Sequence, residues 1–159
     1  MLKIKKLQLI VYDFDGVMTD NKVYVDQKGH EMVQVNRGDG LGISEIKKLG
    51  IEQIIISTEK NPVVTKRAKK LNIKCLQSID DKKKSLQKYC TENNYDLHNI
   101  SFVGNDINDM EAMKISGVTF CPSDAHESII NISDHVLKAK GGHGVVRELL
   151  DFLNKSNGE

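Results

Sequence analysis

Leu7-Gln8-Leu9-Ile10-Val11-Tyr12 runs directly into Asp13-Phe14-Asp15-Gly16-Val17-Met18-Thr19-Asp20. A short apolar run of this kind reads as a buried strand, and two carboxylates one residue apart leave its end together. The glycine behind them lets the chain turn sharply. Such a pair can bind a hard cation through oxygen, and one member can attack phosphorus while the other handles the proton. Asp and Gly are also ordinary turn residues, so the pair alone is equally compatible with a plain strand-to-turn junction. The remainder of the chain has to decide.

Beyond this stretch, apolar runs alternate with amphipathic segments. Residues 22–25 and 32–35 flank Asp26-Gln27-Lys28-Gly29, a hairpin turn. Asn36-Arg37-Gly38-Asp39-Gly40 is a polar loop leading into a helix that Gly50 stops, and Gln53-Ile54-Ile55-Ile56 reads as a buried parallel strand. Asn61-Pro62 starts the next helix, with Asn61 as cap and Pro62 at its first position. A short strand at 73–76, a helix from Asp81 to about Asn93 and a strand at 100–103 follow. A helix through Met110 and Met113, a strand at 118–120, a short strand at 135–137, a turn at Gly141-Gly142-His143-Gly144 and a last helix complete the chain. Repeated strand–helix units predict a doubly wound α/β domain, a parallel sheet covered on both faces. Ligands on such sheets bind beyond the carboxyl ends of the strands. Three polar clusters fall there: Asp13 with Asp15, Ser57-Thr58-Glu59, and Asn105-Asp106 with Asp109.

A length of 159 residues fits one domain, residues 1–159, with the hairpin at about 21–36 as a flap within it. The 23 basic and 22 acidic side chains leave a formal charge of +1, so no global field favours nucleic acid or a membrane surface. Locally, Lys66-Arg67 with Lys69-Lys70 forms a basic cluster suited to an anionic ligand. With no Trp, four Phe and four Tyr, the core has to be aliphatic. Cys75, Cys90 and Cys121 follow no metal or disulfide pattern and read as buried thiols of a reduced compartment. The basic start, residues 1–6, precedes an apolar run too short for a signal peptide, and no run reaches transmembrane length. A cytoplasmic protein is expected.

The string Asp-Phe-Asp-Gly-Val-x-Thr-Asp resembles the nucleophile motif of the haloacid dehalogenase (HAD) superfamily, mostly Mg-dependent phosphohydrolases. The resemblance implies that Asp13 is the nucleophile, passing through an aspartyl-phosphate, and that Asp15 is the acid and base. It further implies that Asp13 and the Asp15 main-chain carbonyl bind Mg²⁺. Ser57, with Thr58, takes the place of the superfamily's phosphate-binding Ser or Thr, and Lys82 that of its phosphate-binding lysine; Lys83 and Lys84 lie in the same run. Gly104-Asn105-Asp106-Ile107-Asn108-Asp109 resembles the acidic metal motif, but with Asn105 where that motif usually carries a ligating Asp. Either Asn105, through its carbonyl, or Asp106, directly or through water, completes the metal site, and Asp109 steadies the lysine.

Only a hairpin, a loop and one helix separate the first two sheet strands, so there is no cap domain. Within the superfamily the chain is similar to the capless 3-deoxy-manno-octulosonate 8-phosphate phosphatases and their sialic-acid relatives. The similarity rests on the first motif, the hairpin, Asn36-Arg37-Gly38-Asp39-Gly40, the Gly104 motif and the tail Gly-Gly-x-Gly-x-x-Arg-Glu at 141–148. It implies a cytoplasmic homotetramer in which hairpins assemble and neighbours cover each site, and a tail that can reach a neighbour's site. Octulosonate phosphatases show Thr-Gly-Arg where this chain has Ser57-Thr58-Glu59. Glu59 with Arg67 and Lys70 resembles the branch acting on nine-carbon acids such as 2-keto-3-deoxy-nononate 9-phosphate, and the string also resembles the phosphatase-like domain of some CMP-sialate synthetases. Glu59, Arg67, Lys70, Arg37 and Asp39 are therefore expected to bind substrate. Arg67 and Lys70, three residues apart, can share a helix face and meet a carboxylate.

The expected activity is Mg-dependent hydrolysis of a 2-keto-3-deoxy sugar-acid phosphate, in octulosonate (lipopolysaccharide) or sialic-acid synthesis. The alternative is a catalytically weak HAD module serving oligomerisation or partner binding in CMP-sialate synthesis, motivated by Asn105. A phosphorylation-dependent receiver is disfavoured, because its acceptor Asp follows a later strand.

Overall fold

The computed structural model describes residues 6–158, so the basic start lies, apart from Lys6, outside the described residues. The sheet strands are β1 (Leu9–Tyr12), β4 (Glu52–Ile56), β5 (Lys74–Leu76), β6 (Ile100–Val103), β7 (Val118–Cys121) and β8 (His135–Val136). They form one parallel six-stranded sheet in the order β5-β4-β1-β6-β7-β8. The chain thus builds outward from β1 on one side, then returns and builds outward on the other. That reversal opens a crevice at the carboxyl end of β1, where Asp13 emerges.

β1 is fully buried because both its faces are covered. Ile10 and Tyr12 point to one side, where α1 (Arg37–Lys48), α2 (Val63–Leu71) and α6 (Val145–Asn157) supply Ile43, Ile46, Val64, Ala68, Val146 and Leu149. Leu9 and Val11 point to the other, where α3 (Lys82–Asn93), α4 (Met110–Lys114) and α5 (Glu127–Ile132) supply Leu86, Cys90, Met113 and Ile129. Most core side chains are aliphatic, but Tyr12, Phe14, Phe102 and Phe120 are also fully buried there, so the core is less purely aliphatic than expected. Cys90 and Cys121 are buried, Cys75 is half-buried and all three are free thiols.

Local signals set most helix ends. Asn36 accepts the Gly38 N–H at 2.7 Å at the start of α1, and Asp81 accepts the Lys84 N–H at 3.0 Å at the start of α3. α2 begins one residue later than expected, after Pro62, yet Asn61 still accepts the Val63 N–H at 3.1 Å. The hairpin is shorter than expected: β2 (Tyr24–Val25) pairs with β3 (Glu31–Met32), and Val35 instead bridges to Thr19. Asp26 tightens its turn by accepting the Lys28 and His30 N–H groups, which pulls the ladder toward the tip. α5 spans six residues, too few for a helical period to stand out in sequence. The last helix is held in the fold: α6 packs along α1, with Val145, Val146, Leu149 and Leu153 fully buried. Among the described residues no helix is long and apolar enough to cross a membrane.

One buried polar relay ties β1 to β4 and α1. The Tyr12 hydroxyl donates to Gln53 Oε1 at 2.8 Å, and Gln53 Nε2 donates to the Ile43 carbonyl at 2.9 Å. Replacing Gln53 with Leu strands the Tyr12 hydroxyl away from water, at about 1–3 kcal/mol. The expected outcome for Gln53→Leu is a lower urea midpoint with unchanged slope, whereas an unchanged midpoint would mean that the relay contributes nothing.

Candidate active site

Asp13 leaves β1 beside the end of β6, its N–H bonded to the Val103 carbonyl at 2.9 Å. Its side chain is buried, and Lys82, the first residue of α3, reaches it from below the crevice. Lys82 Nζ donates to Asp13 Oδ1 at 2.7 Å and to Asp109 Oδ1 at 2.6 Å, and all three groups are buried. Asp109 Oδ2 in turn accepts the Asn105 N–H at 2.9 Å and the Asp106 N–H at 3.3 Å, which shapes the loop after β6. Of the three consecutive lysines only Lys82 points inward; Lys84 is exposed beside Asp81.

Two buried carboxylates share one ammonium, and the imbalance shows at Asp13. Burial first and Asp109 second push the Asp13 carboxyl up to about 7, against the pull of Lys82. For Lys82, burial works downward, but Asp13 and Asp109 outweigh it and raise its pKa. The Asp15 carboxyl is raised by partial burial and by Glu59.

Asn105 closes the group. One terminal atom of its amide lies 2.8 Å from Asp13 Oδ2 and 2.9 Å from the Asp15 carbonyl oxygen. As nitrogen, that atom donates to both. As oxygen, it stands 2.8 Å and 2.9 Å from two others, the spacing of adjacent ligands on an octahedral cation with bonds of about 2.0–2.1 Å. Gly16, at φ +85°, leaves the room that Asn105 occupies: a Cβ there would collide with the amide. Asp106 instead turns Oδ1 back to the Ile107 N–H at 2.7 Å and caps the following 3-10 turn. Of the two residues, Asn105 is the one against Asp13 and Asp15. Among the described residues, no group of three or more His, Cys, Asp or Glu could hold a metal, so a cation here needs the amide and main-chain oxygens.

Above these groups lies a cleft of about 300 Å³, walled by Ser57, Thr58 and Glu59 after β4 and by the hairpin. Ser57 is buried and its Oγ accepts the Glu59 N–H at 3.1 Å, while Glu59 Oε1 accepts the Lys60 and Asn61 N–H groups, both at 2.8 Å. The charged residues lining the cleft are Asp13, Asp15, Glu31, Glu59 and Asp106, with no basic side chain among its described lining residues. Asn21, Val23, Glu31 and Val33 were not expected in the site. They arrive because the hairpin folds over the crevice, a tertiary placement with no local sequence signal.

Three expected substrate contacts lie elsewhere. Arg37, Arg67 and Lys70 line a separate cavity of about 630 Å³ with Ser44 and Leu71. α2 starts at the cleft, but each residue rises about 1.5 Å along its axis, so its last turns are carried well away. Arg67 donates from Nη2 to the Asn36 carbonyl at 3.0 Å. Asp39 is not in the cleft either: it is 1 % exposed and accepts the Val146 N–H at 3.2 Å, joining α1 to the start of α6.

Burial raises the Asp39 carboxyl to about 6, offset by the Val146 and Arg147 N–H groups and by Arg67. A folded-state value above the unfolded one means that the native protein holds a proton which the unfolded chain has released. This group therefore stabilises the fold below about pH 4, and that contribution is lost as pH rises from about 4 to 6, by up to about 3 kcal/mol. Asp39→Asn keeps an acceptor for Val146 and should flatten that slope in urea titrations run across this range. A slope identical to that of the unmodified protein would exclude Asp39 as its source.

A family model for haloacid dehalogenase-like hydrolases matches residues 41–149. Over 160 residues the chain is 31% identical to the 3-deoxy-D-manno-octulosonate 8-phosphate phosphatase KdsC of Escherichia coli (strain B / BL21-DE3), covering 100% of this chain and 85% of that protein. It is 27% identical over 153 residues to N-acylneuraminate cytidylyltransferase A of Danio rerio, covering 95% of this chain but only 36% of that protein's length. The crystal structure of the 3-deoxy-D-manno-octulosonate 8-phosphate phosphatase of Moraxella catarrhalis, in complex with magnesium, phosphate and KDO, matches with a TM-score of 0.93. That pair is 29% identical, with 98% of this chain and 90% of that one covered. The chain belongs to the haloacid dehalogenase-like hydrolases, as a phosphoric monoester hydrolase of the 3-deoxy-D-manno-octulosonate 8-phosphate phosphatase type.

Proposed function

We propose that the chain hydrolyses a 2-keto-3-deoxy sugar-acid phosphate with Mg²⁺ bound, through an aspartyl-phosphate on Asp13. One observation carries this reading: Lys82 holds Oδ1 of the buried Asp13, while the Asn105 amide lies against both Asp13 Oδ2 and the Asp15 carbonyl. Asp13 is thereby held in place as the nucleophile that attacks phosphorus. Asp15 protonates the leaving alkoxide, then takes the proton of the water that releases phosphate. Ser57 and Thr58 hold phosphoryl oxygens. Asp13, the Asp15 carbonyl and the Asn105 carbonyl would hold the Mg²⁺, which neutralises phosphoryl charge when bound.

The charge of the cleft supports both the cation and an assembly. A substrate carrying phosphate and carboxylate meets five carboxylates and no base in the lining. Arg37, Arg67 and Lys70 line another face of the same chain. In a homotetramer, a neighbour's copy of these residues would supply the carboxylate-binding charge that one chain does not bring to its own cleft. Glu59, in place of an Arg, favours a nine-carbon over an eight-carbon acid. The single domain with a hairpin flap and the cytoplasmic location belong to the same proposal.

Phosphate release is the test, with octulosonate 8-phosphate, nononate 9-phosphate and N-acetylneuraminate 9-phosphate as substrates. Turnover of one is expected with Mg²⁺ and is expected to vanish after chelation. Asp13→Asn should lower it by at least ~10³-fold in protein that still folds, as circular dichroism would show. Asn105→Asp should tighten Mg²⁺ roughly tenfold, about 1.4 kcal/mol. If folded protein releases no phosphate from any of the three, the better reading is a binding module. Asn105 and the partial match to a cytidylyltransferase already favour that as the second choice.

A further inference from the structure

Two sequence features have no part in the chemistry above: Thr19, in the first motif, and the glycines of the tail motif. The fold interlocks them. Thr19 is fully buried. Its hydroxyl accepts the Gly16 N–H at 3.2 Å and the Asn21 N–H at 3.1 Å, and donates to Asp15 Oδ1 at 3.4 Å. Among the described residues it is the one side-chain donor to the Asp15 carboxylate. Asp13 is fixed by a buried ammonium, whereas Asp15, at the half-buried rim of the cleft, is aimed by this hydroxyl.

The turn that carries Thr19 is itself held from behind by the other end of the chain. Gly142 donates its N–H to the Val17 carbonyl at 3.0 Å, and Gly141 donates its N–H to Asp124 Oδ1 at 2.9 Å. Both glycines lie against the main chain of residues 16–20. A Cβ on Gly141 would collide with the Gly16 carbonyl, and one on Gly142 would stand 2.6 Å from the Asp20 nitrogen. Contacts this tight leave the turn little room to relax, so the direction of the Asp15 side chain is set by a wall of backbone.

We propose that Thr19, backed by Gly141 and Gly142, is a positioning residue that aims the Asp15 carboxylate at the leaving-group oxygen. This rests on the assignment of Asp15 as proton donor. A general acid acts only within about 2.6–3.2 Å of the atom it protonates, so loss of aim weakens that step selectively. A sugar alkoxide needs the proton to depart. p-Nitrophenolate, a far weaker base, leaves without it.

The experiment compares kcat/KM for whichever of the three sugar-acid phosphates is turned over, an alkyl ester, with kcat/KM for p-nitrophenyl phosphate, an aryl ester. This parameter covers the steps up to formation of the phosphoryl-enzyme. Thr19→Val keeps the shape of the side chain and removes the hydroxyl. It should lower the alkyl-to-aryl ratio roughly tenfold, and Thr19→Ser should restore most of it. Asp15→Asn is the control and should lower the same ratio further. If Asp15→Asn lowers the ratio but Thr19→Val leaves it unchanged, Thr19 merely folds the turn and the proposal is overturned. If Asp15→Asn itself slows both esters alike, the acid role of Asp15 fails and the proposal falls with it. Should Thr19→Val not fold, Asp124→Ala removes only the exposed acceptor behind Gly141 and should move the ratio in the same direction; no movement there overturns the proposal equally.

Discussion

Everything at the crevice depends on one ammonium shared by two buried carboxylates. Lys82 is the only described cation in contact with Asp13 and Asp109, at 2.7 and 2.6 Å. A buried ion pair of this kind adds little net stability compared with apolar packing, but removing one partner costs about 3–5 kcal/mol, because a charge is left alone. The fold therefore has to deliver α3 with its first residue facing inward, the loop after β6 with Asp109 beneath it, and β1 ending at Asp13. Asp81 as the cap of α3 and the Asp109 bonds to the loop N–H groups meet those demands. The pair also leaves one negative charge uncompensated under the cleft floor, beside the three oxygen positions contributed by Asp13, Asp15 and Asn105.

Much of this arrangement is legible in the chain. Runs such as residues 53–56 and 100–103 read as buried parallel strands because both sheet faces are covered, and capping residues such as Asn36 and Asp81 mark helix starts locally. The topology of alternating strands and helices then brings Asp13, Ser57 and Asn105 to one edge with no further information. What was not legible has a geometric cause. Arg67 and Lys70 lie on the right helix face for each other, but nothing in an i,i+3 spacing says how far along its axis α2 has carried them from the cleft. Asp39 looks like a loop carboxylate available to ligand, and only the packing of α6 on α1 shows it buried against the Val146 N–H. The choice between Asn105 and Asp106 needed the backbone too, since neighbouring polar residues in a loop point to different sides and Asp106 is used as a cap.

Near-neutral composition conceals a strong segregation of charge. A formal charge of +1 says nothing of a cleft whose lining carries five carboxylates, nor of α2, where Lys66, Arg67, Lys69 and Lys70 form no ion pair among the described residues. Like charges crowded on one helix cost a few tenths of a kcal/mol per pair. Their presence on another face of a chain with an acidic cleft is intelligible if the two surfaces meet different parts of one anionic ligand in an assembly.

Asn105 fits the same logic of charge. A carboxylate at that position would place a third acid against Asp13 and the Asp15 carbonyl, with Lys82 already divided between Asp13 and Asp109. In the absence of a cation that arrangement would repel itself in a site shielded from water, where charges interact far more strongly than in bulk solvent. An amide avoids the repulsion, because its nitrogen can donate to both neighbours when no cation is bound, and its oxygen can face a cation when one is. The same atom position would thus serve the fold with and without a cation. The exchange is a weaker electrostatic hold on the ion against a crevice that keeps its shape without it.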